Sequence, residues 1–388
     1  MRRTLTALLI AACSCGGSAK PTTPPPTLPD DKKPEPAPVA EAPKPAPPPK
    51  DPDPIDVPIT TGKATYKLTS AGKGQKAVIK IAATEGGKQD LELAIDFAGK
   101  QVAPPDLGGE QSDVAPTLVL SSGLEVGAVD KDGAKFKVTF NKVDARDRKG
   151  SKATKEQFKK SLEVLQGVEL SGQVSNGGQL SNLSLHVQKP NDQTMAALEL
   201  VRISLMPMWP IVPTEAVGAG AKWTVTTPAS IADRIEATQT ISYEVVSHKG
   251  NAWVLKGTIK LDGKDQQIKD TKFEKIGGTG SVDVTLTDGT FVPQSSSKVS
   301  NDFTASVTAD NKPASVQFHL EQGFAVAPPG TTPVTPDVPA TTPTANQSGD
   351  KDKDKDKDAS KDKAKGKLPG PTVTGPPPGT PTTGSPSK

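Results

Sequence analysis

The chain has 388 residues with 39 prolines and 35 glycines, only 33% hydrophobic and 4% aromatic side chains, and a net charge of +3. About half apolar is usual for a globular chain, so these averages exclude one compact domain running end to end; with 47 basic against 44 acidic residues, they also exclude the overall basic excess that marks a nucleic-acid binder. Both cysteines, Cys13 and Cys15, lie within the first fifteen residues, which leaves the rest of the chain to packing and hydrogen bonds, without a disulfide or a thiolate metal site.

Met1-Arg2-Arg3 supplies a positive start, and Leu5 to Ala12 is a short apolar stretch ending in small residues. That is the pattern of a secretory signal over residues 1–12, far short of the about 20 residues a spanning helix needs. Leu9-Ile10-Ala11-Ala12-Cys13 resembles the bacterial lipobox. The resemblance implies that the thiol of Cys13 takes a diacylglyceryl group, that cleavage follows Ala12, and that the new α-amino group is acylated. Several acyl chains on one residue anchor stably, each buried methylene contributing about 0.8 kcal/mol, so the membrane is an expected partner. Cys15 fits the motif less well, with Ser14 and Cys13 before it. Ser14, rather than an aspartate, follows Cys13, and in such lipoproteins this implies the outer membrane, with the periplasmic or surface face left open.

Residues 21–58 hold 16 of the prolines and residues 328–388 hold 13, leaving 10 between them. The segment after Cys13, to residue 58, therefore reads as a disordered proline-rich linker. Its 43 residues from position 16 reach at most roughly 130 Å as polyproline II. Residues 328–388 read as a disordered tail, whose Asp350–Asp358 run alternates acid and lysine and cancels locally. The D-x-D spacing there lacks the glycine and the acidic twelfth ligand of a calcium loop.

Residues 59–327 read as the folded domain, mainly β with two helices. Period-two alternation predicts strands over 64–70, 76–83, 117–121 and 124–129, with Leu91, Leu93, Ile95 and Phe97 on one face of another and Phe136, Val138 and Phe140 on one face of the next. Thr154-Lys155-Glu156-Gln157 is a capping-box sequence, followed by Phe158, Leu162 and Leu165 at helical spacing and by Gly167 to end the helix. A hairpin over 168–187 precedes a second helix from Asn191 or Asp192, striped by Met195, Leu198, Val201 and Leu205 and stopped before Pro207. Strands over 221–226, 235–247, 252–261, 279–287, 290–308 and 314–326 complete the domain. Short turns such as Asp130–Gly133, Lys249-Gly250-Asn251 and Asp288-Gly289 argue for antiparallel meanders. The expectation is a curved antiparallel sheet or half-barrel with both helices on its concave side, and two sub-domains would divide near 207–220.

Methionine and tryptophan density peaks where Met206, Met208, Trp209 and Ile211 follow one another. Adaptable thioethers make this loop the candidate ligand or partner surface, the alternative being a cover over the end of the core. With the lipobox and linker, the run Val217–Trp223, then Tyr243-Glu244-Val245 and Gly278-Thr279-Gly280, resembles bacterial outer-membrane lipoprotein domains of unknown function. In architecture alone the expected fold is similar to the lipoprotein carriers LolA and LolB.

Chemistry-bearing residues are sparse. His186, His248 and His319 lie singly on or beside strands, with no metal-ligand spacing. Ser70 with Lys73, and Ser295 with Lys298, match S-x-x-K without an apolar helix behind the serine. The expectation is a non-enzymatic, lipid-anchored envelope protein without cofactor or metal, binding an apolar ligand or an envelope protein and no nucleic acid. The alternative is a structural or assembly partner with no ligand cavity, and a hydrolase ranks behind both.

Overall fold

The computed structural model describes residues 52–331 apart from 203, 204, 206, 207, 232, 233, 310 and 311. In chain order the strands are β1 (Ile55–Ile59), β2 (Thr65–Ser70), β3 (Lys73–Ala77), β4 (Lys88–Val102), β5 (Glu110–Val114), β6 (Thr117–Val129), β7 (Gly133–Arg146), β8 (Glu169–Ser175) and β9 (Leu180–Val187). After these come β10 (Val217–Ala219), β11 (Lys222–Ile231), β12 (Ile235–Lys249), β13 (Ala252–Asp262), β14 (Gln266–Ile268), β15 (Thr271–Thr287), β16 (Gln294–Ala309) and β17 (Lys312–Ala327). Helix α1 (Lys155–Leu162) separates β7 from β8, and α2 (Asp192–Arg202) follows β9.

Two antiparallel meanders form one sheet. The first runs β4-β6-β7-β8-β9 and the second β11-β12-β13-β15-β16-β17, and β17 pairs with β4 from Gln317↔Val102 to Ala327↔Glu92. β1 borders the far edge of the first meander and β2 that of the second; β3 and β10 make a separate two-stranded sheet. The connection at 207–220 thus passes between two halves of a single sheet of 15 strands. Residues 55–58, which read as the end of the proline-rich linker, belong to the fold, since β1 pairs with β9 from Ile55↔Val187 to Ile59↔Leu183. Pro58 is tolerated there because an edge strand needs only half its amide hydrogens.

Alternation divides the two faces. Inward point Leu93, Ile95, Leu118, Leu120, Phe136, Val138, Phe140, Leu255, Val284, Phe303 and Phe324, all buried. Outward, cross-strand register aligns Thr224, Ser242, Thr258 and Ser281, a hydroxyl row suited to the wet side of an antiparallel sheet. The first helix opens as its sequence requires: the Gln157 amide donates to Thr154 Oγ1 and the Thr154 amide donates to Gln157 Oε1, both at 3.2 Å. Phe158, Leu162, Leu165, Leu198 and Val201 are buried in the common core, and Met195 packs against it half-buried.

Strand limits differ where glycine or a bulge interrupts alternation. The stretches 117–121 and 124–129 are one strand, β6, with a register shift at Ser121/Ser122 just before Gly123. β15 begins eight residues before the predicted start, through a shift between Glu274 and Gly277. Residues 78–83 follow β3 outside any strand yet bury Ile79 and Ile81.

Candidate functional site

The methionine–tryptophan segment is a plug. Met208 is fully buried and Trp209 is 4% exposed. The Trp209 indole stands 4.7 Å from the Phe136 ring of the first meander and 5.5 Å from Phe291, in the β15–β16 turn of the second. Its Nε1 donates to the Phe291 carbonyl at 3.0 Å, so the buried polar atom is satisfied. The carbonyl of Ile211, two residues past Trp209, accepts from Trp223 Nε1 at 2.9 Å, and the Trp223 ring stacks on Tyr243 at 5.3 Å. Ile211 is half-buried, and Met206 lies outside the described residues, as does Cys13. Met208 and Trp209, two of the side chains that composition marks as a binding loop, therefore fill the space where the two meanders face each other.

The β8–β9 turn receives this plug. Val212 donates its amide to the Gly177 carbonyl at 2.9 Å. Gly178 adopts φ +85°, and a Cβ on it would overlap the Pro210 carbonyl. Gln179 Oε1 accepts from the Ala64 amide at 2.9 Å, and its Nε2 donates to the Gly62 carbonyl at 3.4 Å. One turn thereby holds both the plug and the residues that link β1 to β2.

The three histidines occupy three separate places. His186 Nδ1 lies 2.9 Å from Asp56 Oδ1, across the β9–β1 pair. His248 stacks on Trp253 at 3.6 Å between centroids. His319 sits between carboxylates, its Nδ1 2.8 Å from Asp302 Oδ1 and its Nε2 3.4 Å from Glu321 Oε1. The hydrogen bond to Asp302, then the charges of Asp302 and Glu321, hold the His319 imidazolium against partial desolvation and raise its pKa above the usual 6.5.

This last group belongs to a polar lattice on the outer face at the β4–β17 joint. Lys298 Nζ stands 3.8 Å from Glu321 Oε2, and Thr117 Oγ1 donates to Asp96 Oδ1 at 2.5 Å. Lys298 and Asp96 are 8% and 7% exposed, with Gly323 opposite each in register. Ser295, three residues before Lys298, points to the other face, so that S-x-x-K pair does not converge. In the other, Ser70 Oγ accepts from the Gly72 amide at 3.3 Å. Asp144 and Asp147 are engaged by lysines: Lys142 at 2.9 Å and Lys159 at 3.6 Å from Asp144, and Lys155 at 3.7 Å from Asp147. The Lys142 hydrogen bond leads in lowering the Asp144 pKa, with help from the Ala145 amide and the Lys159 charge. Among the described residues no group of three or more His, Cys, Asp or Glu is placed to hold a metal ion.

Two hollows of the described surface are small. One of about 80 Å³ is lined by Gln89, Leu91, Thr285, Val292 and Val326, and one of about 210 Å³ by Lys88, Asp90, Glu125, Lys137 and Asn141. Small-molecule pockets run from about 300 to 1,000 Å³.

The fold and these contacts define a mainly antiparallel β protein with two α-helices among the described residues, whose large sheet does not close into a barrel. No family model matches the chain, and no curated protein matches it. Among solved structures, the outer membrane protein OmpT of Vibrio cholerae aligns at 8% identity over 63% of this chain and 100% of that one, with a TM-score of 0.14. A score that low carries no structural likeness.

Proposed function

We propose that this chain is a non-enzymatic, lipid-anchored module of the cell envelope that recognises another envelope component over its surface. The observation that carries this reading is the plug: Met208, Trp209 and Trp223 fill the space between the meanders. The hollows beside Gln89 and beside Lys88, about 80 and 210 Å³, fall below the size range of ligand pockets. The lipobox at Leu9–Cys13 supports the anchor, and Ser14 supports the outer membrane.

One observation favours an apolar ligand as a second reading. On the inner face Phe97, Val299, Phe318 and Leu320 are only partly buried, and Asn301 Oδ1 among them has no hydrogen-bond partner among the described residues.

The test expresses the full chain in an envelope-bearing host beside a Cys13→Ser variant. Acyl label on the parent and none on the variant is the expected result; label on both overturns the anchor. A photo-crosslinker at Thr258, on the outer face, should capture one envelope protein. Stoichiometric lipid in native mass spectra, lost on Phe318→Asp, would instead establish the apolar-ligand reading.

A further inference from the structure

Residues 57–84 contain Lys63, Lys67, Lys73, Lys76 and Lys80 and no acidic or other basic residue. Their +5 exceeds the +3 of the whole chain, so everything else sums to −2. The stretch lies at the rim of the molecule. β2 is the last strand on its side of the sheet, and β3 follows it after a turn at Ala71-Gly72. All five lysines are exposed, and none has an ion-pair partner among the described residues. Near this rim Glu215 accepts from the Tyr66 hydroxyl of β2, and Glu244 pairs with Lys222. Between Lys76 and Lys80 stands Val78, 41% exposed and one of the few large apolar side chains so open to solvent.

Edge strands carry lysine to discourage pairing with another sheet, and Lys67 alone would be explained that way. The other four lie outside the β2 ladder, before it, on β3 and beyond β3. An uncompensated cationic rim with an exposed apolar side chain in it has the chemistry of a surface that meets phosphate headgroups, the lysines at the charged layer and the valine below it. We propose that the rim formed by residues 63–80 docks the domain on an anionic phospholipid surface. The choice of a membrane among anionic partners rests on the lipid-anchor reading, whereas the charge does not.

The test uses the full chain carrying Cys13→Ser, so that acyl chains cannot produce the binding. Cosedimentation with phosphatidylglycerol-containing vesicles should exceed that with pure phosphatidylcholine vesicles and should fall with added salt. Each surface lysine contributes about fivefold, so Lys67→Glu, Lys73→Glu and Lys76→Glu together should weaken binding on the order of a hundredfold or more. Reversing Lys256, Lys260 and Lys264 on the second meander should change it much less. Circular dichroism checks that each variant is folded. Equal sedimentation with both vesicle types, equal loss in the two triple variants, or tight binding to soluble polyglutamate without vesicle binding would each overturn the proposal. Acyl labelling of the parent chain is read separately, so loss of the anchor reading and loss of the docking surface are distinct outcomes.

Discussion

Gly178 and Gly289 share a backbone conformation, φ +85°, and differ in what surrounds them. A methyl group on Gly289 would point into open space, whereas on Gly178 it would overlap the Pro210 carbonyl that the plug presents. Gly289→Ala should cost about 1–2 kcal/mol, the left-handed penalty alone. Gly178→Ala should cost roughly 3–5 kcal/mol, because strain at the turn adds to displacement of the plug. Urea midpoints at constant slope measure both, and equal losses would show that the close approach does not matter. His319 gives a prediction in pH. Its folded-state pKa lies above the unfolded value, so its stabilisation is present in full below about pH 6.5 and is lost as pH rises through the folded-state value. The melting temperature of the parent should fall over that window more than that of His319→Gln. Parallel curves would remove the imidazolium from the joint.

Local elements were legible in the sequence to the extent that their signals are local. Thr154 and Gln157 announce α1, and both reciprocal bonds form; Thr154→Ala should cost about 1 kcal/mol, read from the thermal midpoint. Period-two alternation found β9 and β13 nearly to the residue, because each buries close to every second side chain, and it marked the inward face of β7 by Phe136, Val138 and Phe140. It lost β1 to the prolines around it and β5, β10 and β14 to their shortness, three to five residues with little to bury. It also read Gly123 as a break where β6 merely shifts register. The plug was legible as an unusual segment, with a binding surface and a cover over the core both open. Exposed and buried thioethers look alike in a sequence, and only the partners Phe136 and Phe291, distant along the chain, decide between them. Gln179 shows the same dependence on distant partners, since its amide serves Gly62 and Ala64 more than a hundred residues away. Gln179→Ala should raise hydrogen exchange at residues 62–70 ahead of the rest of the sheet. Uniform exchange across the sheet would mean that β2 is held without that turn.

At the scale of the molecule, the joint between β4 and β17 decides how the two meanders behave. Each meander is built from neighbouring strands and forms from local contacts, but β4 and β17 are separated by most of the folded chain and meet over eleven paired residues. Phe136 is covered by Trp209 and Phe291, both from beyond residue 207, so the first meander alone leaves an aromatic on bare inner face. Loop-closure entropy must be spent before the joint returns anything, which places its formation late and makes folding slow. Residues 52–202 produced alone should therefore retain β-type far-ultraviolet dichroism while binding a hydrophobic dye and lacking near-ultraviolet signal. Adding residues 208–331 should restore the near-ultraviolet signal on the scale of seconds or longer. A first half that is rigid and dye-free by itself would mean that the joint only abuts two finished units. Restoration on mixing would mean that the sheet is completed there, with the Trp209 plug seating as β17 reaches β4.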